Sequence, residues 1–247
     1  MKITIITAVY NGGSSIADTL NSVAQQDHGA IEHIVIDGGS ADCTLSTVRS
    51  NDKRIARLIS EPDLGVFDAF NKGLRLATGD AVAFLNCGDT YVSPSVVTKM
   101  VEELSRDGVQ AAFGDVSIVD AADKTRIVRR YSSKRFSPRR MALGLMPAHP
   151  TLFLRREVYQ SVGEYDTRFR IAGDFELCLR VFGRREFRYR YVPEPLVRMP
   201  RGGLSNKGWR SKWEITREMR QACAMNNVDT NLAKLCLRFP LKLLEMI

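Results

Sequence analysis

The chain is short of the residues on which several common chemistries depend. Five cysteines, at positions 43, 87, 178, 223 and 236, include no Cys-x-x-Cys pair. Their odd number and wide spacing suit neither a disulfide framework nor a zinc site, which points to a reducing, cytoplasmic setting. No apolar stretch approaches the roughly 18 residues of a membrane span, and the opening MKITIITAVYN is too brief for a signal h-region. There is no Gly-x-Gly-x-x-Gly after the first apolar run and no Gly-x-x-x-x-Gly-Lys-[Ser/Thr] loop, so neither a dinucleotide fingerprint nor a P-loop is present. Internal repeats and low-complexity tracts are also missing.

What remains is a chain of 247 residues, 44% hydrophobic and 26% charged, enough for one globular domain with appended elements. Its net charge of +8 is unevenly spread. Residues 1–120 carry 9 basic and 16 acidic side chains, a balance of −7, whereas residues 121–247 carry 27 and 12, a balance of +15. The two halves therefore meet different partners, or different parts of one partner.

The first 120 residues alternate apolar runs with helical stripes, the pattern of β-α-β units on a mainly parallel sheet. Strands are predicted at Ile3–Ala8, Ile34–Ile36, Ile55–Ile59 and Ala81–Leu85. Ser15-x-x-Asp18 resembles a capping box opening a helix with Ile16, Leu20 and Val23 on one face. A short helix follows from about Asp42, and a longer one with Phe67, Phe70 and Leu74 on one face stops at Thr78-Gly79. Ser93-Pro94 reads as an N-cap and first-turn proline. Beyond residue 110 the rhythm changes: 111–119 and 125–131 read as a hairpin, 151–154 as a strand, 174–182 as a helix, and the chain from Gly208 as two helices, the last at 232–247.

Three predicted strands end in polar residues: Thr7-Ala8-Val9-Tyr10-Asn11, Asp37-Gly38-Gly39-Ser40 and Asn86-Cys87-Gly88-Asp89. In an open α/β sheet, parallel strands carry such ends to one edge, where ligands bind. Taken in order, ITAVYN, IEHIVIDGGSADCT, SEPDLGVFDAFNKG, FLNCGD, AHPTLFLRREVY, GDFELCLR and GGLS resemble the family 2 glycosyltransferases, most of all bacterial capsule, exopolysaccharide and O-antigen enzymes. The likeness runs over about residues 3–205.

The resemblance implies an α/β fold of the GT-A type: a mainly parallel nucleotide-binding sheet at 1–110, flanked by helices and merged with an acceptor-binding part at 111–205. Helices at 206–247 form an extension. It implies donor contacts from Thr7, Tyr10, Asn11, Asp37, Asp68, Asn86 and Arg201, with Tyr10 stacking on the base and Asp37 accepting from it. Asp63, Gly65, Asn71 and Lys72 match other positions of the segment that closes over the donor. Asp89 takes the place of the carboxylate that holds a divalent metal, Mg²⁺ or Mn²⁺, and Asn86 stands where many members have an Asp. Asp174 matches the catalytic base, with Gly173 in place of the preceding Glu; Glu176 is a rival base. His149, Glu176 and Arg180 are placed on the acceptor side, and Arg201-Gly202-Gly203-Leu204-Ser205 resembles a loop that orders over diphosphate.

Each assignment has a plainer alternative. Asp37 and Asp89 also fit strand-end turns, Asp68 and Asp174 fit helix starts, His149 fits a structural hydrogen bond, and Cys87 reads as packing. The basic pairs of the second half lack the interleaved aromatics of a nucleic-acid binder, so no nucleic acid is expected. The apolar, basic segment from Leu232 onward fits either a helix on the core or a peripheral contact with anionic membrane. The reading is an inverting, metal-dependent glycosyltransferase that moves a sugar from a nucleotide-diphosphate donor to a glycan or polyprenyl-diphosphate-linked acceptor. A sugar-1-phosphate nucleotidyltransferase and a non-enzymatic basic adaptor are the alternatives.

Overall fold

Apolar and β-branched residues fill Ile3–Val9 (β1), and all seven are buried, as a strand covered on both faces requires. A computed structural model describes residues 1–51, 54–184, 186–202 and 209–239. Beside β1 lie β2 (Ile31–Asp37), β3 (Ile55–Ser60) and β4 (Ala81–Phe84), all parallel, in the order β3-β2-β1-β4. Register aligns their exits: Val9 faces Asp37, and although β4 ends at Phe84 opposite Ile6, the chain continues beside β1 with the Leu85 and Cys87 N–H groups on the Ile6 and Ala8 carbonyls.

The sheet continues through residue 110 without a break. β8 (Phe153–Arg155) pairs antiparallel with β4, and β6 (Val109–Val119) pairs with β8. The expected hairpin is β6 with β7 (Ile127–Tyr131). β9 (Arg188–Pro200) then runs parallel to β6 and pairs with the short β5 (Thr90–Tyr91). Thus the nucleotide-binding and acceptor-binding halves expected on either side of residue 110 share one nine-stranded sheet.

Alternation along β1 sends Ile6 and Ala8 to one face and Ile3 and Ile5 to the other. On the first face pack α3 (Val66–Leu76), α5 (Arg156–Val162) and α6 (Gly173–Phe182), through Phe67, Phe70, Val158, Phe175 and Leu179. Two C-terminal helices join the same core: α7 (Trp209–Met225) with Met219, Ala222 and Cys223, and α8 (Leu232–Cys236) with Leu235. The other face is covered by α1 (Ile16–Ala24), α2 (Thr44–Ser50) and α4 (Val96–Leu104). The sequence predicts a last helix reaching Ile247; α8 ends at Cys236, and residues 240–247 lie outside the described ones.

Two expected caps are built differently. Ser15 makes no side-chain cap; the Gly12 carbonyl accepts the N–H groups of Ser15 and Ile16 instead, at 2.9 Å each. The helix expected to open at Ser93-Pro94 begins at Val96, because Gln26 from the end of α1 accepts the Val97 N–H at 3.0 Å and donates to the Ser93 carbonyl at 2.9 Å. At the N-terminal end of the sheet, Glu32 accepts from Thr4, from the amide and hydroxyl of Thr78, and from Lys2. Burial works to raise its pKa, but these donors outweigh it and hold the carboxyl down at about 2. That end is locked, and the opposite end carries the polar strand exits.

Candidate active site

At the exit of β1, Asn11 adopts φ 48°, a left-handed conformation that Asn tolerates better than most residues. Its N–H donates to Ser40 Oγ at 2.7 Å and its Oδ1 accepts the Ala41 N–H at 2.9 Å. The next residue, Gly12, donates to Thr44 Oγ1 at 2.9 Å. A Cβ on Gly12 would lie 2.5 Å from Cys87 Sγ and 2.7 Å from Val9 Cγ2, so glycine is required for the close approach of the β4 exit. The Cys87 N–H in turn donates to the Ala8 carbonyl. These contacts join the exits of β1, β2 and β4 into one rim. Tyr10 stands on it with 67% of its surface exposed, leaving a ring face open for stacking.

Asp37 is fully buried at the end of β2. Its carboxylate accepts the Ser40 N–H, the Ser40 hydroxyl, and the Ser60 hydroxyl at 2.7 Å. Sequence reasoning does not find Ser60, the last residue of β3; 23 residues separate it from Asp37, and only the parallel register brings them together. Asp63 comes from the next loop. A Cβ on Gly38 would sit 2.3 Å from Asp63 Oδ2, so this loop lies directly on the Asp37-Gly38 turn. Asp68 is committed to the loop itself, accepting the Leu64 N–H at 3.1 Å and pairing with Lys72 at 3.7 Å. Lys72 also holds Glu61 and the Pro62 carbonyl.

Asp89 is only 5% exposed, and no hydrogen bond to its carboxylate is found among the described residues. Burial alone pushes that carboxyl up to about 8. Nearby, the buried Asn86 Oδ1 has no hydrogen-bond partner among the described residues. The backbone between them is firmly placed: Gly88 N–H donates to Thr19 Oγ1, and that hydroxyl donates to the Asp89 carbonyl, both at 2.9 Å. Gly88 has φ 95°, which disfavours any residue with a side chain. A buried carboxylate and an unpartnered amide oxygen are the hard oxygen donors a divalent cation takes, so the residues fit such an ion. Among the described residues no group of three or more His, Cys, Asp or Glu side chains gathers at one point. Burial, and then Asp89, push the Cys87 thiol up to about 11, which keeps it protonated and non-nucleophilic at neutral pH.

Two more elements reach the rim. The end of β9 packs beside Gly88, where a Cβ would lie 3.9 Å from Pro200 Cγ, and Arg201 follows with its N–H on the Val119 carbonyl. Ser205 and its neighbours 203–208 lie outside the described residues. From the other side, α6 begins against the start of α3. A Cβ on Gly173 would fall 2.8 Å from the Phe67 ring, which explains why glycine stands where the family pattern has Glu. Asp174 occupies the first turn of α6, partly exposed, with Oδ1 accepting the Phe175 N–H at 2.7 Å.

Other expected site residues are turned elsewhere. Thr7 is fully buried with its hydroxyl 3.0 Å from His33 Nε2, so its side chain serves the sheet interior. His149 sits in an aromatic cluster, stacked on Phe70 and Phe84, with Nε2 2.7 Å from the Tyr165 hydroxyl. Burial lowers its pKa to about 4, which makes it a neutral internal hydrogen-bonder. Glu176 is buried in an ion pair with Arg180 at 2.7 Å and accepts from Asn226. Arg180 does orient a carboxylate, that of Glu176, and it also donates to the carbonyls of Val162 and Glu164. Asn71 is likewise internal, bonded to both the N–H and the carbonyl of Tyr165.

The family model "Glycosyl transferase family 2" matches residues 4–163. An uncharacterized glycosyltransferase of Mycobacterium tuberculosis is 35% identical over 182 residues, covering 72% of this chain and 68% of its own. A PGL/p-HBAD biosynthesis glycosyltransferase of Mycobacterium bovis is 28% identical over 207 residues, covering 82% of this chain and 78% of its own. Among solved structures, a Pyrobaculum calidifontis mannosyltransferase in complex with GDP-Man and Mn²⁺ superposes with TM-score 0.68 at 21% identity; the match covers 93% of this chain and 65% of that one. Residues 1–349 of Staphylococcus aureus TarS in complex with UDP-GlcNAc give TM-score 0.71 at 18% identity, covering 95% and 70%. These likenesses are of the GT-A fold.

Proposed function

The chain belongs to glycosyl transferase family 2 and is a glycosyltransferase, and we propose for it an inverting transfer of a sugar from a nucleotide-diphosphate donor. The observation that carries this reading is the joining of the β1, β2 and β4 exits into one rim, with the loop before α3 lying on the Asp37-Gly38 turn and α6 starting against Phe67 of α3. Tyr10 offers a ring face to the base, and Asp37, oriented by Ser40 and Ser60, accepts a base N–H. The solved relatives in complex with GDP-Man and UDP-GlcNAc support a nucleotide-sugar donor without fixing which one.

Asp174 acts as general base. It takes the proton of an acceptor hydroxyl as that oxygen bonds to the anomeric carbon, on the face opposite the breaking bond to the diphosphate, so the configuration inverts. Arg201, which follows Pro200 at the end of β9, meets the charge that develops on the leaving diphosphate. A divalent cation held by Asp89, with Asn86 Oδ1 beside it, supplies further positive charge there when bound. The acceptor is a glycan or a polyprenyl-diphosphate-linked sugar of a cell-surface polysaccharide. The +15 balance of residues 121–247 suits an anionic membrane surface, each nearby cation contributing about 1 kcal/mol. Among the described residues no helix is long and apolar enough to cross a membrane.

The test is a screen of nucleotide sugars with Mn²⁺ and a lipid extract as acceptor, scored by the diphosphate product. Release of a nucleoside diphosphate from one donor is expected. No nucleoside diphosphate from any donor, together with pyrophosphate-dependent conversion of a nucleotide sugar into a nucleoside triphosphate and a sugar 1-phosphate, would identify a nucleotidyltransferase instead.

A further inference from the structure

Helix α6 starts at Gly173, and its N-cap residue, Ala172, has no side chain with which to satisfy the free N–H groups of a helix entrance. The turn that leads into it is held instead from 46 residues away. Glu218, in the middle of α7, accepts the N–H groups of Arg170 at 3.0 Å, Ile171 at 2.9 Å and Ala172 at 2.7 Å. We propose that Glu218 is a positioning residue for Asp174, and that α7 is thereby part of the catalytic apparatus. This rests on the reading of Asp174 as the base.

Three charge-assisted bonds to consecutive amides define a backbone path closely, and the path ends two residues before Asp174. The same segment is fixed upstream, where Asn71 grips both polar groups of the Tyr165 backbone and Arg180 holds the carbonyls of Val162 and Glu164. From Ile171 onward Glu218 supplies the corresponding hold, and Glu214, one turn earlier on α7, pairs with the Arg170 side chain at 3.6 Å. Met219, Ala222 and Cys223 seat α7 in the main core, so Glu218 is carried on a rigid support. The three bonds tie α7 to the segment before the base, and none of them reaches the exits of β1, β2 and β4. Since a displacement of about 1 Å at a reacting group costs on the order of 10²-fold in rate, loss of this hold should appear in kcat.

Glu218→Gln keeps an oxygen acceptor but loses the charge; kcat is expected to fall roughly 10-fold, and roughly 100-fold in Glu218→Ala, with donor KM unchanged within about twofold. Combined with Asp174→Asn, the Glu218→Gln change should add no further loss, because both act through one group. A purely structural role would instead lower the melting temperature and add its loss in the double variant. Should both Glu218 variants misfold, hydrogen exchange on the unaltered protein reads the same contacts: amides 170–172 are expected to be protected, and fast exchange there overturns the proposal. Normal kcat in Glu218→Gln beside an inactive Asp174→Asn removes the positioning role alone. Full turnover in Asp174→Asn removes the base assignment, and the proposal with it.

Discussion

Asp174→Asn is expected to bind donor as the parent protein does and to transfer sugar about 10²- to 10⁴-fold more slowly, the contribution typical of a general base. The substitution is nearly isosteric, and Asn Oδ1 can still accept the Phe175 N–H that now bonds to the carboxylate at 2.7 Å. The start of α6 should therefore stay in place against Phe67, and the change isolates the proton acceptor. Single-turnover transfer alongside a donor titration separates the two effects. Retained turnover would show that another group takes the proton. Glu176, the nearest rival in sequence, is already engaged by Arg180 and Asn226.

Asp89→Ala is expected to fail earlier, at donor binding. The parent places a lone carboxylate in a buried position with no hydrogen-bonding partner among the described residues, a costly arrangement unless a cation completes it. Removing it should cut transfer by about 10²-fold or more and raise donor KM, and the residual activity should no longer respond to Mn²⁺. Because the backbone here is fixed by Thr19 bonding to Gly88 and Asp89, the loop should survive the loss of the side chain. An unaltered Mn²⁺ response would take Asp89 out of the metal role.

The centre of the parallel half of the sheet is legible in the sequence because β1 and β4 are nearly continuous apolar runs, and Ile3–Val9 and Ala81–Phe84 are buried throughout. β9 is not. Its sequence RYRYVPEPLVRMP alternates Arg and Tyr and contains three prolines, and Pro195 falls opposite Asp115 at a break in register. That strand nevertheless brings Pro200 beside Gly88. Motif order locates Asp37, Asp89 and Asp174, but motifs carry no information on which way a side chain faces. Thr7 and His149 are therefore expected at the donor and acceptor, and both are enclosed. Partners distant in sequence, such as Ser60 for Asp37 and Glu218 for the approach to Asp174, have no local signal. Gly173 is the reverse case: an irregularity in the motif that becomes intelligible once the Phe67 ring occupies the space of its missing Cβ.

All of these roles require that the strand exits form one pyrophosphate-binding rim. Calorimetric titration of the unaltered protein with UDP, GDP and dTDP, each with saturating Mn²⁺ and again with a chelator, probes that rim without any substitution. At least one nucleoside diphosphate is expected to bind, with a Kd at least about tenfold lower in Mn²⁺, a difference of roughly 1.4 kcal/mol. No binding of any of the three, or the same Kd with and without the metal, would show that no such rim exists.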